Sequence, residues 1–345
     1  DQTFGDPTLV KSVLANFYGR VTLGERIDDW DAWAMLDEVI TFDNNSDETI
    51  DRNKWRPYDY TLVHDLNQFL NGVQASKAVD DATKTQYIGE VRYIRAWLYF
   101  CMGRTLGGVP IVGDQLFNYT PGMDITTLQV PRSKEAELYD YVISECEAAA
   151  SMLTKNTNKN SARANYWVAK MLEARVALTA ASLATYNTAD AHPQLRTAGG
   201  EVGIPASKAK EYYQIALAAA TDVIQHGPYK LMHASENTPK AYADNFYKAV
   251  CQKDANTEVI WTRDYVSPGQ THQFTRSNLP KSIEQDTGSD RLSVLLNIVE
   301  AFEPINAAED QRGKGTPFDI GTLDSPKFFA NPTDLFMDRD PRLIG

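Results

Sequence analysis

Aromatic rings set among polar residues are where this chain could do chemistry. Trp55 follows the polar run Asp43-Asn44-Asn45-Ser46-Asp47-Glu48, and Tyr58 comes three residues later. Trp261 and Tyr265 lead into a second long polar stretch, 264–290, which carries His272, Phe274, Arg276 and Asn278. A flat ring offers an apolar face, and neighbouring amide, imidazole and guanidinium groups offer directed hydrogen bonds. Together they complement a ligand with a C–H face and a rim of hydroxyls, which is the description of a sugar ring. The candidate ligand-binding residues are therefore Trp55, Tyr58, Tyr265, His272, Phe274, Arg276 and Asn278, with Asn45 from the first polar run. Trp261 is set aside, because Val259 and Ile260 before it read as buried strand, and single Trp residues mostly pack in cores.

Other chemistries find less support. Asp43, Asn45, Asp47, Thr49 and Asp51 place oxygen ligands at alternate positions, as a calcium loop does. That loop needs Gly sixth and Glu twelfth, where this chain has Glu48 and Lys54, so the run reads as a solvated acidic loop. No G-x-S-x-G, H-E-x-x-H, P-loop or Rossmann glycine pattern occurs, and His64, His192, His226, His233 and His272 share no motif. Paired carboxylates for glycoside hydrolysis are set in space, so a chain this rich in Asp and Glu neither supports nor denies them. No catalytic residue, metal or cofactor is assigned. Cys101, Cys146 and Cys251 are too few and too scattered for a disulfide framework or a zinc site, and read as buried free thiols.

A net charge of -12 without basic runs excludes nucleic acid and anionic lipid as partners, since both are held by Lys and Arg patches. No apolar run is long enough to span a bilayer.

The elements that must position the rings are helical. Tyr87, Val91, Ile94, Leu98 and Cys101 form one apolar row at helical spacing, and Tyr93, Trp97 and Phe100 form another. A helix apolar on two sides is packed on two sides. Glu90, Arg92, Arg95 and Arg104 lie among those rows and must be paired if buried. Gly107-Gly108 ends this central helix and Val109-Pro110-Ile111-Val112 leaves it extended. Further helices are expected from Asp6-Pro7, over 30–41, from Trp55 to about Ala75, from Ser133 to Leu153, over Ala162–Ala184 and over Ser207–His226. Short turns between them, and alanines dense enough for close helix contact, suggest a tetratricopeptide-like array of hairpins. Glu258–Arg263 reads as a short strand, 264–290 as a long polar loop, Leu292–Phe302 as a helix, and Pro304–Gly345 as mostly irregular.

The segment EVRYIRAWLYFCMGRTLGGVPIV, Glu90 to Val112, resembles the signature of the SusD/RagB family, the surface-exposed glycan-binding lipoproteins of Bacteroidetes. Asn67-Gln68-Phe69-Leu70, Pro131-Arg132-Ser133 with Glu137–Ile143, the Ala-rich 162–181, Tyr213–Leu231, Glu258–Trp261 and Asp340-Pro341-Arg342-Leu343 are similar to further landmarks of that family, in its order. The resemblance implies a mainly α fold, an α/α superhelix of tetratricopeptide-like hairpins with long decorating loops and a few short strands. It implies a single SusD-like domain over 1–345, with a helical-hairpin core at about 55–230 and a loop-rich region at about 231–345. It implies an outer-membrane location facing the exterior. There the protein would bind oligosaccharide without catalysis and pass it to a SusC-like TonB-dependent transporter. Membrane attachment is expected only through a lipid anchor that this chain lacks. The family continues past its D-P-R segment, so a C-terminally truncated chain is expected. The alternatives are an α/α-barrel glycoside hydrolase and a peptide-binding RagB-like or tetratricopeptide scaffold.

Overall fold

The longest helix, Asp81–Leu106 (α3), carries the two apolar rows, and both are buried. In the computed structural model the described residues are 2–21, 38–41, 58–155, 162–188, 195–252, 254–269, 271–279, 282–283, 292–305, 307–311 and 313–343. Asn45, Trp55, the calcium-like run and most of the helix expected over 30–41 lie outside them.

The chain divides into two compact units, the first from Asp1–Glu25, Trp55–Tyr229 and Ile260–Arg263, the second from Arg26–Lys54, Lys230–Val259 and Asp264–Gly345. In the first, Pro7–Arg20 (α1), Tyr60–Ala75 (α2), α3, Glu135–Met152 (α4), Tyr166–Tyr186 (α5) and Ala209–His226 (α6) follow one another, and from α2 onward each packs on the next. Their starts are set by side-chain caps: Asp6, Asp59, Asp80 and Asn165 each accept a backbone N–H of the first turn, at 2.7–3.0 Å. Alanines 169, 177, 180, 181 and 184 are fully buried along α5, which brings neighbouring helices close. The second unit holds Pro239–Cys251 (α7), the single turn Phe274–Ser277 (α8) and Leu296–Ala301 (α9). Its strands Val39–Thr41 (β1) and Leu292–Val294 (β2) pair antiparallel, Val39 opposite Val294. The protein is mainly α. Among the described residues no helix is long and apolar enough to cross a membrane.

Several sequence expectations need correction. Residues 39–41 form a strand and not the end of a helix, because Leu292–Val294 supplies a pairing partner. By the same pairing, 292–302 is a strand followed by a short helix. Helix α2 begins at Tyr60, after the Asp59 cap, so Tyr58 is outside it. At α4 the cap position is Lys134, whose N–H is accepted by Glu137 at 3.0 Å; Ser133 instead donates its hydroxyl to the Val109 carbonyl. Residues 258–263 form no strand. Cys251 is exposed, unlike Cys101 and Cys146.

Glu90, Arg92 and Arg95 among the rows of α3 are ion-paired, and Arg104 near its end is exposed. Glu90, wholly buried, accepts from Tyr18, Gln86 and both Nε and Nη2 of Arg163. Burial raises the Tyr18 phenol far above its ordinary range, so it stays a donor. Arg95 contacts Glu145 on α4, Asn67 on α2, and Gly113 and Asp114 in the following loop. One guanidinium thus joins three elements. A buried charge is tolerable only when saturated in this way.

Candidate functional site

The loop after α3 and the start of α2 enclose a cleft of about 350 Å³ whose lining includes Tyr58, Tyr60, His64, Asn67, Gln115 and Phe117. Tyr58 precedes the Asp59 cap, so the helix start fixes its backbone while its ring remains 61% exposed. Its centroid lies 4.8 Å from that of Tyr60, with the planes tilted by 57°. Tyr60 meets Tyr99 edge-on at 6.3 Å, and Tyr99 meets Tyr141 edge-on at 5.2 Å. Four tyrosine rings therefore lead from the surface to the interior. The exposed ring has a rigid backing. Tyr60 donates to the Pro110 carbonyl at 2.5 Å, and Tyr99 accepts from Val112 N–H at 3.2 Å. Burial raises the Tyr60 phenol and pushes Tyr99 up to about 12, so both remain protonated and hold the 110–112 wall in place.

Asn67 sets the opposite boundary. Its Nδ2 donates to the carbonyls of Gly113 and Gln115, both at 2.9 Å, and its Oδ1 accepts from Arg95 at 2.7 Å. It positions the loop that carries Gln115 and Phe117. Gln115 is exposed, and His64 on α2 lies with Nδ1 3.7 Å from Asp65 Oδ1. The cleft thus joins an exposed ring to amide and imidazole groups on a fixed backbone. Such a surface can stack on an apolar ligand face and bond its polar rim.

In the second unit Tyr265 and His272 meet edge-on, centroids 4.6 Å apart. Phe274 N–H donates to His272 Nδ1 at 3.2 Å, and Arg276 is exposed in the last turn of α8. Asn278 spends its amide on backbone, donating to the Phe274 carbonyl at 2.8 Å and accepting from Leu292 N–H at 3.2 Å. Tyr265, His272, Phe274, Arg276 and Asn278 are thereby neighbours, whereas Tyr58 belongs to the first unit. Trp261 is half-buried, edge-on to Tyr93 at 5.3 Å and Trp97 at 5.6 Å, and donates to the Ala162 carbonyl at 3.2 Å. It anchors a loop on α3.

Sequence reasoning missed Tyr60, His64, Gln115 and Phe117. The alternation Tyr58-Asp59-Tyr60 about a helix cap was a readable signal for the first; Gln115 and Phe117 had none.

Residues 13–178 match the family described as "Starch-binding associating with outer membrane", a SusD-like family. A SusD-like protein of Bacteroides ovatus is 31% identical over 122 residues, 34% of this chain and 21% of that protein. SusD-like protein P25 of Formosa agariphila is 21% identical over 208 residues, 60% of this chain and 31% of that one. The matched regions therefore span less than a third of either relative. Among solved structures, a SusD-like protein from Bacteroides fragilis superposes with TM-score 0.68 at 21% identity, over 99% of this chain and 60% of that one. A SusD-like carbohydrate-binding protein from the same species gives 0.64 at 17% identity, over 100% and 60%. The family match runs from α1 into α5, and this chain shares the fold of these SusD-like structures over nearly all of its length.

Proposed function

We propose that this chain is a non-catalytic glycan-binding protein that takes oligosaccharide at the Tyr58 cleft. The observation that carries the reading is the exposed Tyr58 ring, backed by Tyr60 and Tyr99, beside His64 and Gln115. The description of the matched family, starch-binding and associating with the outer membrane, points the same way. A cleft held by buried hydrogen bonds loses little freedom on binding, which favours a weakly interacting ligand such as a sugar. Trp55 and Asn45, the candidates outside the described residues, are retained as proposed glycan contacts from the sequence alone. Tyr265, His272, Phe274, Arg276 and Asn278 form the second unit's candidate surface. In the native protein we place this activity at the cell exterior, delivering ligand to a SusC-like TonB-dependent transporter.

Calorimetric titration against a panel of soluble glycans and oligopeptides tests the reading. The expected result is saturable glycan binding without hydrolysis, weakened roughly two- to tenfold in Tyr58→Ala, the range of one aromatic contact. Turnover of the sugar would overturn the non-catalytic role. Binding of peptides alone would overturn the glycan. Tyr265→Ala reports whether the second unit contributes. Co-purification with a TonB-dependent transporter from outer-membrane extracts tests the delivery step.

A further inference from the structure

The Tyr58 cleft does not end at Tyr58. A second chamber, of about 470 Å³, also has Tyr58 in its lining, together with Thr105, Leu106, Pro110, Arg132 and Val202. A third, of about 320 Å³, shares Thr105, Leu106 and Val202 with the second and continues to Tyr186 and Asn187 at the end of α5. Each chamber shares lining residues with the next, Tyr58 and Pro110 between the first two, and all three lie within the first unit. The two outer chambers carry the same device. Tyr58 is 61% exposed at one, and Tyr186 is 76% exposed at the other. Arg104, Ser182 and Glu135 join Tyr186 in lining the third chamber.

The groove wall is rigid where the chambers meet. Gly108 N–H donates to the Glu201 carbonyl at 2.6 Å, and Glu135 N–H to the Gly200 carbonyl at 2.9 Å. Gly203 N–H donates to Glu135 Oε2 at 2.5 Å, and Arg132 donates to the carbonyls of Gly108 and Leu106, at 2.8 and 2.6 Å, closing the end of α3. These bonds tie the α3 terminus, the start of α4 and the 200–203 turn into one surface. A ligand lying along it therefore orders little protein. Guanidinium and carboxylate groups occur together in the lining, so neither a polyanion nor a polycation is favoured throughout. A neutral chain with repeated hydroxyls and C–H faces meets both its rings and its polar groups.

We propose that the three chambers form one groove and that its ligand is an extended neutral oligosaccharide, with Tyr58 and Tyr186 as separate subsites. This rests on the glycan reading above and adds to it the length of the ligand and a second aromatic contact. The test is titration with oligomer ladders of α-glucan, β-glucan, xylan and mannan, disaccharide to heptasaccharide, against the unmodified chain, Tyr58→Ala and Tyr186→Ala. Both rings are exposed, so both variants should fold, and a melting curve verifies it. In the series that binds, affinity should rise with oligomer length. Tyr186→Ala should remove that gain, roughly two- to tenfold for the longest oligomer, and leave the disaccharide unchanged. Tyr58→Ala should weaken every length. Length-independent affinity, or a silent Tyr186→Ala beside an effective Tyr58→Ala, overturns the extended groove and keeps the Tyr58 site. Absence of binding in all four series overturns both.

Discussion

Arg95 Nη2 lies 2.7 Å from Glu145 Oε2 inside the first unit, with the arginine side chain 1% and the glutamate 6% exposed. Arg92 Nη1 reaches the other oxygen, Oε1, at 2.5 Å, so one carboxylate answers two guanidinium groups. Removing it strands buried positive charge. Glu145→Ala should therefore destabilise by about 3–5 kcal/mol. Asp114, the other carboxylate on Arg95, is 62% exposed, and Asp114→Ala should lose under about 1 kcal/mol. Urea unfolding of the two variants checks the contrast; equal losses would mean that the pair does not act as a buried one.

The helix end at Gly107-Gly108 should tolerate no side chain. Gly107 has φ +73°, and a Cβ there would come 2.5 Å from the Glu201 carbonyl oxygen; at Gly108 it would come 2.0 Å from that of Ser133. Both obstacles are backbone. Gly108→Ala should destabilise by about 2 kcal/mol or more, because the Ser133 backbone must be displaced. Gly19, in the last turn of α1 with nothing within 4 Å, is the control: Gly19→Ala should gain about 0.5 kcal/mol. Thermal melts of the two variants should move in opposite directions.

Acid should loosen the contact between α5 and α6. Tyr166 donates to Asp222 at 2.6 Å, and His226 lies 2.8 Å from the other oxygen of the same carboxylate. The Tyr166 hydroxyl first, and His226 after it, hold Asp222 below the ordinary carboxylate range. A carboxylate whose folded value is depressed stabilises the fold above its unfolded value and loses that contribution as pH falls through the folded one. Tyr166→Phe should cost about 1 kcal/mol at neutral pH and much less in strong acid. Melting temperatures of both proteins across that pH range should converge on acidification.

The loop bearing Gln115 and Phe117 should depend on Asn67. Asn67→Ala removes two donors to the loop carbonyls and the acceptor for Arg95. It should raise amide exchange at 113–117 and destabilise by about 2–3 kcal/mol. Asn67→Asp keeps the acceptor for Arg95 and lacks the donors, so it should leave the loop loose. Exchange restricted to the helices in both variants would refute a positioning role.

The helical frame was legible because its signals are local. Two apolar rows on α3 and the Asp6-Pro7 start of α1 follow from spacing within a few turns, whereas the Asp59 start of α2 was passed over for Trp55. Glu145 and Arg163, ion partners of α3, lie 50 or more residues from the charges they pair with. Strand β1 was not legible, since three residues show no period and their partner lies at 292–294. Helix α7 carried a readable Thr238-Pro239 start, yet Tyr242, Tyr247 and Val250 face solvent, so its pattern lacks the stripe of a core helix. The aromatic-in-loop argument picked Tyr58, but its cleft is completed by α2 and by 110–130. Tyr186 closes an Ala-rich helix and reads as part of its end. The chambers that hold it and Tyr58 share Thr105, Leu106 and Val202, which meet only when the α3 terminus and the 200–203 turn fold together, a relation no interval along the chain records.

Cys251 ends α7 with its side chain in solvent, while Cys101 and Cys146 are enclosed and burial pushes the Cys146 thiol well above its ordinary value. Alkylating reagents attack the thiolate, so the three cysteines differ sharply in reactivity. The chain therefore offers one accessible thiol for a maleimide dye or spin label, Cys251 in the second unit, without an engineered cysteine.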